Sequence, residues 1–72
     1  MNQNVTINPL TPRQTEIVAL LADGNVRKFV AQKFGVSEAF VCQQIREACD
    51  RAKVVRKDSA IVSKAIRSGW IA

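Results

Sequence analysis

Seventy-two residues suit one small domain, and a domain of this size buries only about 60% of the surface its unfolded chain exposes, so its core alone is expected to give marginal stability, to which a partner could add. Eleven lysines and arginines against six aspartates and glutamates give a net charge of +5, which points to an acidic partner, while 47% hydrophobic content argues against disorder. With no histidine and only Cys42 and Cys49, the chain lacks an ordinary four-ligand zinc set and histidine-based acid–base chemistry, and it has too few cysteines for a disulfide-dense secreted scaffold.

The N-terminus carries no basic cluster, and no apolar run approaches the roughly 20 residues of a membrane span, so a reduced, cytoplasmic protein is expected. Met1 to Pro9 are polar, lack helical periodicity and end in Asn8-Pro9; they read as a flexible tail, or as an arm that reaches toward a partner. The folded domain is expected over residues 10–72.

Thr11-Pro12-Arg13-Gln14 predicts a helix start, with Thr11 as cap, Pro12 at the first helical position and Gln14 completing a capping box. Ile17, Leu20 and Leu21 recur at helical spacing, and Asp23-Gly24 stops the run. Asn25 is the expected cap of a second, shorter helix whose Val26, Phe29, Val30 and Phe34 share a face, ended by Gly35. Ser37 opens a third helix, in which Val41, Ile45, Ala48 and Ala52 make a narrow inward stripe and Ala39, Gln43, Arg46, Glu47 and Asp50 face outward. Arg51, Lys53, Arg56 and Lys57 form a basic connector. Asp58 or Ser59 caps a fourth helix that runs through Ser68 to a stop at Gly69. No segment reads as a strand, so the fold class is all-α with four helices.

Residues 26–45 have the layout of a helix-turn-helix. Ala31 suits a close helix crossing, Gly35 lets the backbone turn sharply, and Val41 plugs the angle between the helices. The same three residue types also arise at these spacings in compact three-helix proteins; the basic charge and the Ser37 cap favour the DNA-binding motif. Arg27, Lys28 and Lys33 cluster on the second helix with no acid among them, as suits a helix lying across a phosphate backbone, and Arg51 to Lys57 make a second patch. A solvated charged surface is the plainer account of any single lysine.

The stretch from Leu10 to Ile71 resembles the LuxR/GerE-type helix-turn-helix domain of bacterial transcription regulators. The residues that carry the resemblance are Leu10-Thr11-Pro12-Arg13, Glu16-Ile17, Leu21-Ala22-Asp23-Gly24, Ala31, Val36-Ser37-Glu38, Val41, Ile45, Val62, Ala65 and Gly69-Trp70-Ile71. The family implies a four-helix domain whose third helix enters the major groove and whose fourth often pairs two copies. By that resemblance Cys42, Gln43 and Arg46 occupy base-reading positions, and Thr11, Lys28, Ser37 and Arg51 fall where phosphates are contacted.

Two of the base readers agree with the chemistry of their side chains: Gln bonds adenine through two contacts, and Arg does so with guanine N7 and O6. Where family members commonly have Thr-Val-Lys-x-His, this chain has Phe40-Val41-Cys42-Gln43-Gln44, losing one cation and a hydroxyl. Cys42 reads first as a half-buried flank residue and second as an apolar contact to a thymine methyl. Glu47 and Asp50 place negative charge on the outer face and need Arg46 or Arg51 to offset it. A disulfide between Cys42 and Cys49 is excluded along an intact helix, where their backbones stand roughly 10 Å apart. Nearby cations that lower a thiol pKa leave a redox sensor as a minor alternative.

On the fourth helix, Ile61 and Ala65 fall near one edge and Val62 and Ile66 near the other, an apolar arc of about 140°, wide for a helix that covers a small core. Ile61, Ala65 and Trp70, the last just past the helix end, are expected at a dimer interface, the competing account being that the whole arc seals the core and Trp70 caps its end. The expectation is a stand-alone bacterial or phage-type transcription regulator that binds double-stranded DNA as a homodimer, cytoplasmic and associated with the nucleoid, with no cofactor. The alternative is an interaction module that uses the fourth helix to capture and antagonise a related regulator. An isolated sigma-like promoter-recognition domain comes third. An enzyme is the weakest candidate, since histidine, tyrosine and a phosphate-cradling glycine loop are all missing.

Overall fold

A computed structural model describes residues 7–72, and among them the chain is all-α: α1 spans Pro12–Ala22, α2 Arg27–Phe34, α3 Glu38–Ala52 and α4 Asp58–Arg67. The first helix starts as its sequence dictates. Thr11 Oγ1 accepts from the Gln14 amide at 3.1 Å, and the Gln14 side-chain oxygen accepts from the Thr11 amide at 3.1 Å, so two of the orphan donors at the helix start are satisfied reciprocally.

All four helices end with one device, a backbone bond that reaches from the second or third residue past the helix back across its last turn: Asn25 N–H to Leu20 O, Val36 to Ala31, Val54 to Cys49, and Trp70 to Ala65. The bond requires a left-handed residue just before its donor, and Gly24, Gly35 and Gly69 supply it at φ of 92°, 67° and 75°. At the end of α3 the same place is held by Lys53 at φ 58°.

α3 lies at the centre of the fold, packed against α1, α2 and α4. Its expected stripe is buried, and Cys49 joins Val41, Ile45, Ala48 and Ala52 as a small apolar side chain inside the core. Leu10, Ile17, Val18, Val30, Ala31, Ile61 and Ala65 complete the buried set. On α1 the inward face is rotated from the expected one: Gln14, Ile17 and Val18 are buried, while Leu20 and Leu21 are half-buried.

Four expectations need correction. Asn25 does not cap α2; its side-chain amide donates to Leu20 O at 2.9 Å and so closes α1, leaving Val26 at the uncapped start of α2. The inward face of α2 is Val30 and Ala31 with Phe34 half-buried, whereas Val26 and Phe29 are 67% and 46% exposed. The physical reason is Arg27, which shares the inward face at i, i+3, i+4, i+7 and meets a partner there. Neither Asp58 nor Ser59 caps α4: Lys57 stands at that position without a side-chain bond, and Asp58 turns toward α2.

The fourth correction concerns the expected dimer surface. Ile61 and Ala65 are both fully buried within the monomer, so neither is available to a second copy. The surplus of the apolar arc lies at its other edge, where Val62 is half-buried and Ile66 is 51% exposed. Trp70 is half-buried against the core, and its indole N–H is enclosed without an acceptor among the described residues. Residues 1–6 of the expected tail lie outside the described residues. Asn8 and Pro9 belong to the domain: Asn8 bonds Thr15 Oγ1 and the Leu10 amide, and the Pro9 carbonyl accepts from Arg51 at 3.3 Å.

Candidate nucleic-acid interface

The turn between α2 and α3 combines Ala31 (buried), Gly35 (left-handed) and Val41 (buried), and Ser37 closes the N-terminus of α3 by accepting from the Phe40 amide at 3.0 Å. With α3 held on its core stripe, the side chains opposite that stripe face solvent. Gln43 and Arg46, three residues apart, are exposed there, and neither is engaged by a side chain or carbonyl among the described residues.

Cys42 is not beside them. It is half-buried on the flank of α3, where its sulfur accepts from Arg27 Nη1 at 2.9 Å. The same guanidinium grips Asp58 with Nε and Nη2, the Nε contact at 3.2 Å. Asp58 thereby holds the Arg27 pKa well above its ordinary value, with Cys42 contributing and desolvation opposing. This cluster joins α2, α3 and α4, and it is the only side-chain tie between α2 and α4 among the described residues. Its energetic share is moderated by water, because both charged side chains remain 39% exposed.

The acids on the outer face of α3 are met by arginines. Glu47 pairs with Arg51 at 3.1 Å, and Asp50 receives two bonds from Arg56, at 2.9 and 2.7 Å. The Arg56 guanidinium holds the Asp50 carboxyl below the usual carboxylate range, and Asp50 in return raises Arg56. Of the cations on α3, Arg46 alone lacks an acid partner among the described residues.

The four expected phosphate contacts differ in readiness. Lys28 is exposed and unpaired among the described residues. Ser37 is exposed; its hydroxyl accepts as the α3 cap, and the O–H proton is not donated to any described residue. Thr11 is half-buried, also with its oxygen accepting as a cap. Arg51 is committed to Glu47 and to the Pro9 carbonyl, so its charge is already partly neutralised. The α2 cluster likewise loses a member, because Arg27 is held by Asp58 from a distant part of the chain.

Two residues with structural duties were not legible as such. Gln14, besides capping, is buried and donates from its amide nitrogen to Gln44 Oε1 at 3.1 Å, joining α1 to α3. Arg13 lies over the Phe34 ring at 4.1 Å, joining α1 to α2. The buried Cys49 thiol is raised by desolvation and weakly donates to the Lys57 carbonyl at 3.8 Å, and both cysteines are free. Among the described residues no group of acids and cysteines is arranged to hold a metal, and no helix is long and apolar enough to cross a membrane. Comparison of the chain with protein-family models, with curated proteins and with solved structures finds no match.

Proposed function

We propose that this domain binds double-stranded DNA and regulates transcription, with α3 in the major groove, as a LuxR/GerE-like helix-turn-helix. The observation that carries the reading is the outer face of α3: Arg46, unpaired among the described residues, stands three residues from the free amide of Gln43, a pair suited to a guanine and a nearby adenine. Lys28 and the Ser37 hydroxyl supply phosphate contacts beside it, and Thr11 a weaker one. Cys42 drops out of the base-reading set in this reading, because Arg27 holds its sulfur on the flank.

Two copies are proposed to bind one two-fold related site on the nucleoid. They meet through the outer edge of α4, with Ile66 and Val62 in place of Ile61 and Ala65, and with the half-buried Trp70 kept in the set. Selection from a random duplex pool tests the reading. An enriched palindrome whose half-sites contain guanine supports it; a pool that stays random at low salt overturns it.

A second reading has an observation of its own. The outer face of α3 keeps Glu47 and Asp50, which neutralise Arg51 and Arg56 and leave less positive charge than the sequence count promises. A protein-capture module that uses the Ile66 edge of α4 to block a related regulator needs no such charge. Capture of one helix-turn-helix protein, with no enriched duplex in the parallel selection and loss of capture in Ile66→Glu, decides for it.

A further inference from the structure

We propose that Lys53 is a phosphate-contacting residue that extends the DNA interface beyond α3. The inference rests on the duplex-binding reading and adds to it a contact at the far end of the recognition helix. Four helices close with the same backbone bond, and at three of them the left-handed position before the donor is a glycine. Only at the end of α3 is it occupied by a side chain, Lys53, at φ 58°. A left-handed backbone strains any residue with a Cβ, and asparagine, which relieves part of that strain by local bonding, is absent as well. Lysine therefore stands where the backbone favours glycine, and strained backbone that persists in a fold clusters at positions that serve binding.

The surroundings say which function a cation has there. Lys53 is exposed, at the end of the helix whose outer face holds Gln43 and Arg46. Its neighbours Arg51 and Arg56 are tied to Glu47 and Asp50, whereas Lys53 and Lys57 have no acid partner among the described residues. Within this connector the lysines are the charges left for an anion outside the protein. A polyanion that tracks along α3 reaches them, and a duplex backbone is such a polyanion. The competing account is a lysine that only complements the C-terminal dipole of α3.

Thermal melting and titration of a random-sequence duplex across a salt series separate the two, using Lys53→Gly, Lys53→Asn and Lys53→Arg. With a phosphate contact, Lys53→Gly melts at or above the wild-type temperature yet binds roughly 3- to 10-fold more weakly at low salt. Its slope of log K against log[salt] flattens by about one. Lys53→Asn follows it, and Lys53→Arg keeps both affinity and slope. Unchanged affinity and slope in Lys53→Gly overturn the Lys53 contact while leaving the duplex-binding reading intact. A wild-type protein without duplex affinity overturns both.

Discussion

α3 and α4 are both amphipathic and both carry basic residues, but they match their apolar surface to the core differently. On α3 the expected apolar stripe is buried, and what remains outside is polar apart from Ala39, the exposed Phe40 and the half-buried Cys42. α4 has more apolar surface than the core receives: Ile61 and Ala65 are sealed in, while Ile66, five residues after Ile61, stays half-exposed. A helix whose apolar stripe is largely matched by its burial presents a mainly polar face, suited to a hydrated, charged ligand. One with apolar width to spare presents an edge suited to another protein surface.

The two edges of α4 test this contrast most severely. Ile61→Glu buries an unpaired carboxylate at a site with no solvent access, at a cost above about 4 kcal/mol, and helical circular dichroism should be lost at 25 °C. A folded Ile61→Glu protein would mean that α4 sits otherwise than described. On α3, Arg46→Ala should cost roughly 1–3 kcal/mol on the preferred duplex and much less on random sequence, measured by competitive titration. Arg51→Ala, whose charge is already met by Glu47, should weaken both duplexes only slightly. Equal losses from the two variants would erase the distinction between free and paired cations.

Asp58→Ala removes the tie between α2 and α4 and leaves Arg27 half-exposed without its carboxylate. With both groups partly hydrated, about 1 kcal/mol is expected, a melting temperature lower by roughly 4–8 °C. Glu47→Ala, which breaks a local pair one helical turn long, should leave the melt within error. Ile66→Glu should change the melt little and act on assembly: if the outer edge of α4 joins two copies, sedimentation of the variant on a palindrome should show one bound copy where the wild type shows two. A wild type that binds as a single copy sinks the dimer.

The smallest effect concerns Asp50. Because the Arg56 guanidinium lowers the Asp50 pKa below its ordinary value of about 3.9, this pair contributes its full share of stability above that pH, and the share is lost as pH falls through the lower folded value. In carbon-detected NMR titration, Arg56→Gln should move the Asp50 midpoint upward to the ordinary range. A midpoint that does not move would detach Asp50 from Arg56 in solution.

Much of the candidate site could be read without coordinates because its parts are local. Gln43 and Arg46 lie opposite Val41, Ile45, Ala48 and Ala52 by helical spacing alone, and Ser37 and Gly35 announce the turn by their chemistry. Cys42 was harder: on a helical wheel it falls on the boundary between stripe and outer face, and only the approach of Arg27 settles which way it bonds. The α2 cluster of Arg27, Lys28 and Lys33 looked uniformly free of acids because the acid that answers Arg27 is Asp58, 31 residues later.

What the chain determined by itself were the four helix boundaries to within a residue or two, since a capping box at Thr11 and Gln14, a Ser37 cap, and left-handed glycines at 24, 35 and 69 act within one turn of backbone. The tertiary structure decided the rotation of each helix about its axis and the fate of each charge. Rotation decided that Ile61 rather than Ile66 is inside, because an arc wider than the available core has two equally apolar edges and only packing against α1 and α3 selects one. The i,i+4 spacing of Glu47 and Arg51 was legible in the chain, but the pairing of Arg27 with Asp58 and of Arg56 with Asp50, which leaves Arg46 and Lys53 without an acid partner among the described residues, depends on the crossing of helices and on a backbone turn that no short-range pattern encodes.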